Sequence, residues 1–147
     1  MLSSAHANGC LIADRQAFRQ NSGMSTTEIA WKLVEFCRDG KWIEAVDSLY
    51  ADDIVSVEAE AMGDMPAEMR GIEAIRGKAK WFMESNEIHM CTVSDPYVAR
   101  DTFAVQYELD VTSKDSKQRT KMSEVAIYQV RGGKVAREEF LPMAEKN

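Results

Sequence analysis

Two glutamates and one histidine stand where they could move protons. Glu58 closes Ile54-Val-Ser-Val-Glu58, Glu124 lies inside Lys121-Met-Ser-Glu-Val-Ala-Ile-Tyr128, and His89 falls in Glu87–Val93. A carboxyl in an apolar cavity loses hydration, which favours its neutral form and moves it toward the range useful for proton transfer. Glu58 is the first candidate. Period-two counting puts it on a strand face with Ser56 and Glu60, opposite Val55, Val57 and Ala59. It therefore either faces a pocket or lies on a solvated edge. Glu124 shares a face with Met122, Ala126 and Tyr128, so it is either a hydrogen-bond donor in an apolar setting or half of a cross-strand ion pair. His89 shares a face with Glu87, Cys91 and Val93 and either shuttles protons or is an ordinary hydrogen-bonded residue. Glu58, His89 and Glu124 form the candidate catalytic set.

Other residues could line the ligand's space. Lys78 and Trp81 are three apart on a predicted helix and lie off its apolar stripe, as a polar-aromatic rim or a solvated flank. Tyr107 and Tyr128 lie on apolar strand faces, aimed at a ligand or simply packed. Met62 and Met65 belong to a loop read over residues 60–71. Flexible thioethers there suit a ligand cover or an anchor to the core.

Positioning these side chains requires particular elements. Ser25-Thr-Thr-Glu28 is a capping box, followed by Ile29, Leu33, Phe36 and Cys37 at helical spacing and a stop at Gly40. Trp42, Ala45, Val46, Leu49 and Tyr50 mark a second helix, Asp52-Asp53 a turn, and residues 54–58 a strand. A third helix over residues 72–85 buries Ile72, Ile75, Ala79, Phe82 and Met83. Gly77 in its interior costs about 1 kcal/mol relative to Ala, which a close backbone approach would explain. Strands follow at 87–93, 97–100, 102–112, 119–130 and 135–141, with Arg131-Gly-Gly-Lys134 as a hairpin turn. Helices first and a meander later predict an α+β domain over residues 24–147, with helices on one face of a curved antiparallel sheet. Residues 1–23 lack periodicity and read as a flexible extension, with a short helix conceivable around Asp14–Gln20.

The chain has 147 residues and a net charge of −6. That length supports one core. The acidic balance and scattered basic residues argue against a nucleic-acid partner. No apolar run approaches the roughly 18 residues of a membrane span. Cys10, Cys37 and Cys91 are odd in number and far apart, which reads as free thiols in a reducing cytoplasm. No zinc, nucleotide or serine-hydrolase motif is present, and no metal or cofactor is expected.

Three strings carry a resemblance over about residues 25–141: Gly40-Lys-Trp-Ile-Glu-Ala-Val-Asp-Ser-Leu-Tyr-Ala-Asp-Asp53, Arg70-Gly-Ile-Glu-Ala-Ile-Arg76, and Tyr128-Gln-Val-Arg-Gly-Gly-Lys-Val135 followed by Arg137-Glu-Glu-Phe140. With the element order, they resemble the nuclear transport factor two-like superfamily, and within it the SnoaL-like polyketide cyclase branch. Ketosteroid isomerase is more distantly similar. The resemblance implies a cone-shaped curved sheet wrapped around N-terminal helices, a cystatin-like α+β roll. It implies a homodimer and a central pocket for a small, largely apolar molecule. The implied role is cofactor-independent isomerase, cyclase or dehydratase chemistry, ligand binding without chemistry, or a dimeric interaction module with a vestigial cavity. Laid on the isomerase pattern, the base position falls at Glu58 and the late-strand acid near Glu124 or Val125. Glu138 and Phe140 fall among pocket residues, although a salt bridge from Glu138 to Arg137 or a neighbour is the plain alternative. The isomerase's donating tyrosine falls where this sequence has Leu33.

Overall fold

The computed structural model describes residues 23–144. The expected extension, its short helix and Cys10 lie outside the described residues, apart from Gly23. Helix α1 (Thr26–Arg38) starts on the capping box: Ser25 Oγ accepts from the Glu28 amide at 3.2 Å, and the Glu28 carboxylate accepts from the Ser25 amide at 3.4 Å. Its buried stripe is Ile29, Ala30, Leu33, Val34 and Cys37. Gly40, at φ +69°, takes the left-handed conformation that stops the helix. Helix α2 (Trp42–Leu49) buries Ala45, Val46 and Leu49.

Strand β1 (Tyr50–Val57) begins directly at the end of α2 rather than after a turn at Asp52-Asp53. Tyr50 already pairs with Val135, and a register irregularity between Tyr50 and Val55 lets both aspartates sit exposed within the strand. Strand β2 (Glu68–Arg70), expected as loop, pairs with β1. Helix α3 (Ile72–Ser85) leads into β3 (Asn86–Val93), β4 (Tyr97–Ala99), β5 (Thr102–Ser113), β6 (Arg119–Arg131) and β7 (Lys134–Pro142). Gly132 and Gly133 both hold positive φ in the β6–β7 turn, as a two-residue hairpin of this hand requires.

The strands form a curved, unclosed sheet in the order β2-β1-β7-β6-β5-β3, with β4 also paired to β5. It is mixed rather than wholly antiparallel, because β1 and β7 run parallel. They are joined through the whole intervening chain, so no tight turn imposes an antiparallel sense. The helices cover the concave face. Ile29, Leu33, Leu49, Ile54, Ile75, Phe103, Val105 and Tyr128 are almost wholly enclosed there, and Phe103 stacks on Tyr128 at 4.8 Å. Burying each large apolar side chain contributes about 1.5–3 kcal/mol. Gly77 has open space around it, so no close backbone approach explains it.

Candidate functional site

Beyond the packed core the concave face leaves a cavity of about 290 Å³. Its apolar walls include Trp42, Phe82, Leu109 and Phe140, and its carboxyl and amine groups are Glu58, Lys78, Glu124 and Glu138. Strand β1 supplies two polar side chains because its inward face is Ile54, Ser56 and Glu58. Ser56 is fully buried, whereas Val55 and Val57 are only half-buried on the convex side. Of the two readings of Glu58, the structure has it facing the cavity.

One hydrogen-bonded chain links these groups. Lys78 Nζ donates to Ser56 Oγ at 2.6 Å and to Glu58 Oε1 at 2.7 Å. An ammonium can only donate, so Ser56 accepts from it and directs its own hydrogen to Glu138 Oε1, at 2.7 Å. Tyr50 bonds the other oxygen of Glu138. Lys78 Nζ also lies 3.8 Å from Glu138 Oε1 and 4.8 Å from the Phe140 ring centroid. Burial pushes the Glu138 carboxyl above its usual range, while Lys78, Tyr50 and Ser56 oppose that rise.

Glu124 is held differently. Burial, followed by the negative charge of Glu58, raises its carboxyl from 4.5 to about 7, with Lys78 acting the other way. A group with that value exchanges protons readily near neutral pH. Above it, the hydroxyls of Tyr107 and Tyr128 bond at 2.8 Å, and Tyr107 also meets Cys37 Sγ at 3.5 Å. Burial pushes the Cys37 thiol up to about 12 and the Cys91 thiol to about 11, so neither is a thiolate at neutral pH. Among the described residues no three His, Cys, Asp or Glu side chains are grouped as metal ligands.

Residues 24–141 match the SnoaL-like domain family. The chain belongs to the SnoaL-like family. A protein of known structure from Mesorhizobium loti, named as a SnoaL-like polyketide cyclase, is 38% identical; the match covers 80% of this chain and 98% of that one, with a TM-score of 0.74. A protein of unknown function with a cystatin-like fold from Xanthomonas campestris is 16% identical, covering 82% and 92% at a TM-score of 0.67. An NTF2-like protein from Anabaena variabilis is 15% identical, covering 82% and 90% at 0.62. These last two show the fold alone. No curated protein matches.

In this SnoaL-like chain the cavity gathers Glu58, Lys78, Tyr107, Glu124, Tyr128, Glu138, Phe140 and Met62. Three expected residues are not brought to it. His89 is the extra residue of a β-bulge, since Ile88 pairs with Val111 and Met90 with Asp110. The bulge turns His89 to the convex face, where its ring bonds Thr112 Oγ1 at 2.7 Å, while Cys91 continues inward. Trp81 is 42% exposed on the solvent side of α3. Met65 pairs its backbone with Met62 across a tight turn at Gly63, and only Met62 reaches the cavity.

Lys78 is neither a rim nor a flank residue: it is buried. Glu138 bridges to Lys78, not Arg137, whose partner is Glu139. Ser56 and Tyr50 were missed. Ser56 carried a signal, sharing a period-two face with Glu58; Tyr50 read as core by its helical spacing. Among the described residues no helix is long and apolar enough to cross a membrane.

Proposed function

We propose that the cavity takes a small, largely apolar carbonyl compound and catalyses cofactor-independent proton transfer on it, as an isomerase, cyclase or dehydratase. The observation that carries this reading is Glu124, a carboxyl on an otherwise apolar wall, raised to about 7 and facing the same space as Glu58 and Lys78. The volume lies at the small end of the roughly 300–1,000 Å³ typical of ligand sites, which favours a compact molecule. The Mesorhizobium loti protein is named as a SnoaL-like polyketide cyclase, which supports a carbonyl-rich ligand, although the same name also carries the words carbohydrate phosphatase.

Glu124 in its ionised form takes a proton from carbon beside the carbonyl and returns it elsewhere on the same molecule. The Glu58–Lys78 pair supplies a fixed dipole beside the reacting atoms, already oriented before the ligand enters. The test is a thermal-shift screen of carbonyl compounds, with mass spectrometry and proton NMR in deuterated water on each binder. The expected result is exchange or rearrangement of at least one binder, lost by about 10²-fold or more in Glu124→Gln. Binders left unchanged, with no deuterium taken up, would assign the cavity to carriage or sensing instead.

A further inference from the structure

Lys78 is the feature that proton transfer by carboxyls does not explain. A lysine is rarely buried unless paired, and an amine reaching an apolar cavity is costly to desolvate. Its side chain is only 10% exposed, and its nitrogen lines the cavity between Glu58 and the face of Phe140. Two of its three hydrogens are committed to Ser56 and Glu58. The Ser56–Glu138–Tyr50 chain behind it fixes the nitrogen's position from the buried side.

We propose that Lys78 is a Schiff-base nucleophile, its Nζ condensing with the carbonyl carbon of an aldehyde or ketone held in the cavity. The proposal rests on the carbonyl-ligand reading above. The ammonium first gives a proton to Glu58 Oε1, 2.7 Å away, which frees the nitrogen lone pair. That pair forms a bond to the carbonyl carbon while the C=O π electrons move to oxygen, which takes a proton from the Glu124 carboxyl. The nitrogen then returns a proton to Glu124, Glu58 protonates the carbinol hydroxyl, and water leaves as the C=N bond forms. Over the whole step the carbonyl oxygen departs with two of the nitrogen's three hydrogens, one positive charge remains on nitrogen, and both carboxyls end as they began.

The cluster favours this product for a simple reason. The iminium occupies the place of the ammonium, so Glu58 and Glu138 face a positive charge before and after the reaction. The iminium also withdraws electrons from the neighbouring carbon far better than a carbonyl does. Glu124 leaves the condensation protonated; once it has given that proton to water, its carboxylate can remove the adjacent proton, which gives this one cavity both an activating group and a base.

Reductive trapping tests the proposal. The intact protein is incubated at neutral pH with butanal, benzaldehyde or cyclohexanone together with cyanoborohydride, which reduces an iminium to a stable secondary amine. Peptide mapping then compares Lys78 with the exposed Lys80, 65% accessible on the same helix. The expected result is labelling of Lys78 at least about tenfold faster than Lys80 with one or more probes, because the cavity holds carbonyl and amine together. Labelling of Lys78 no faster than Lys80 with all three probes overturns the proposal. Mapping is done on the unaltered protein, so the answer does not depend on a variant that folds; Lys78→Met, where folded, should lose the fast-labelled site. The two readings fail separately. Glu124-dependent turnover without Lys78 labelling leaves proton transfer standing alone, and Lys78 labelling without turnover leaves the nucleophile standing alone.

Discussion

Two carboxylates in this fold are almost equally covered and titrate in opposite directions. Glu138 is 2% exposed and Asp110 6%. Asp110, on β5, receives two parallel hydrogen bonds from Arg119 at 2.8 Å each, and that guanidinium remains 60% exposed. The arrangement holds Asp110 below the usual carboxylate range. Glu138 has its cation 3.8 Å away, with Ser56 bonded between them, and burial raises it. Low surface exposure alone therefore does not decide the direction: Glu138 lies deep in the core, where lost hydration dominates, whereas at Asp110 the hydrogen bonds from Arg119 outweigh it. What matters is whether a charge touches the carboxylate directly in fork-to-fork geometry and whether that charge keeps its water. The convex-side pair is a clamp; the concave-side cluster is a buried network in which lost hydration works against one ammonium.

The severest way to break this contrast is to remove the cation from the concave cluster. Lys78→Met leaves Glu58 and Glu138 without their ammonium and should cost about 3–5 kcal/mol at pH 8. Part of that loss should return on acidification, since Glu138 and Glu124, whose raised carboxyls Lys78 holds down, rise further without it and can neutralise themselves with protons. Urea unfolding of both proteins between pH 5 and pH 8 measures it. A loss independent of pH would mean that Lys78 acts through packing on Phe140 rather than through its charge.

Glu124 gives the next largest effect, with a defined sign. Its folded value is raised, so the stability it contributes is complete below its unfolded value of 4.5 and is lost as pH rises through about 7. Glu124→Gln removes the titrating group. Relative to this variant, the unaltered protein should lose about 2–3 kcal/mol between pH 4.5 and 7.5. Parallel pH profiles for the two proteins would place Glu124 in water and remove the basis for the base role proposed for it.

Asp110→Asn sharpens the same contrast from the other side. A lowered carboxylate contributes stability that is present above its unfolded value of 3.8 and lost as pH falls through its folded one. The gap between Asp110→Asn and the unaltered protein should be small at neutral pH and close on acidification, opposite in sense to Glu124→Gln. Its size is limited because Arg119 is exposed and solvent screens the pair. A gap that widens toward low pH would mean that Asp110 resembles Glu138 after all.

The difference between these regions also explains what the sequence could reveal. The order of elements followed from local signals that the fold does not override: the Ser25–Glu28 capping box, the stop at Gly40 and the Gly132-Gly133 turn. The strings running from Gly40 to Asp53 and from Tyr128 to Phe140 carried the family. The faces of two strands did not follow as cleanly. In β1 a polar residue, Ser56, lies in the core, because Lys78 arrives from α3 and Glu138 from β7 to satisfy it. Alternation of valine with serine and glutamate cannot reveal partners 22 and 82 residues away. The parallel pairing of β1 with β7 is long-range in the same way. In β3 the bulge at His89 breaks period-two counting with no glycine or proline to announce it. The cavity's acids were readable as residue types; their companions Ser56 and Tyr50, and the burial of Lys78, belong to tertiary structure.

His89 supplies the smallest expected effect and the finest test of the separation between the two faces. The bulge places it with the convex pair: it bonds Thr112, and its charge is among the influences that lower Asp110. His89→Ala should alter global stability by no more than about 0.5 kcal/mol, as for most exposed substitutions. Carboxyl-carbon NMR titration should show the Asp110 resonance moving slightly upward in pH, because one of several favourable charges is gone. Glu124 should titrate unchanged, since burial, Glu58, Lys78 and Glu138 set its value and His89 is not among them. If instead Glu124 moves with His89 while Asp110 does not, the bulge has not turned the imidazole outward, and the histidine rejoins the groups that address the cavity.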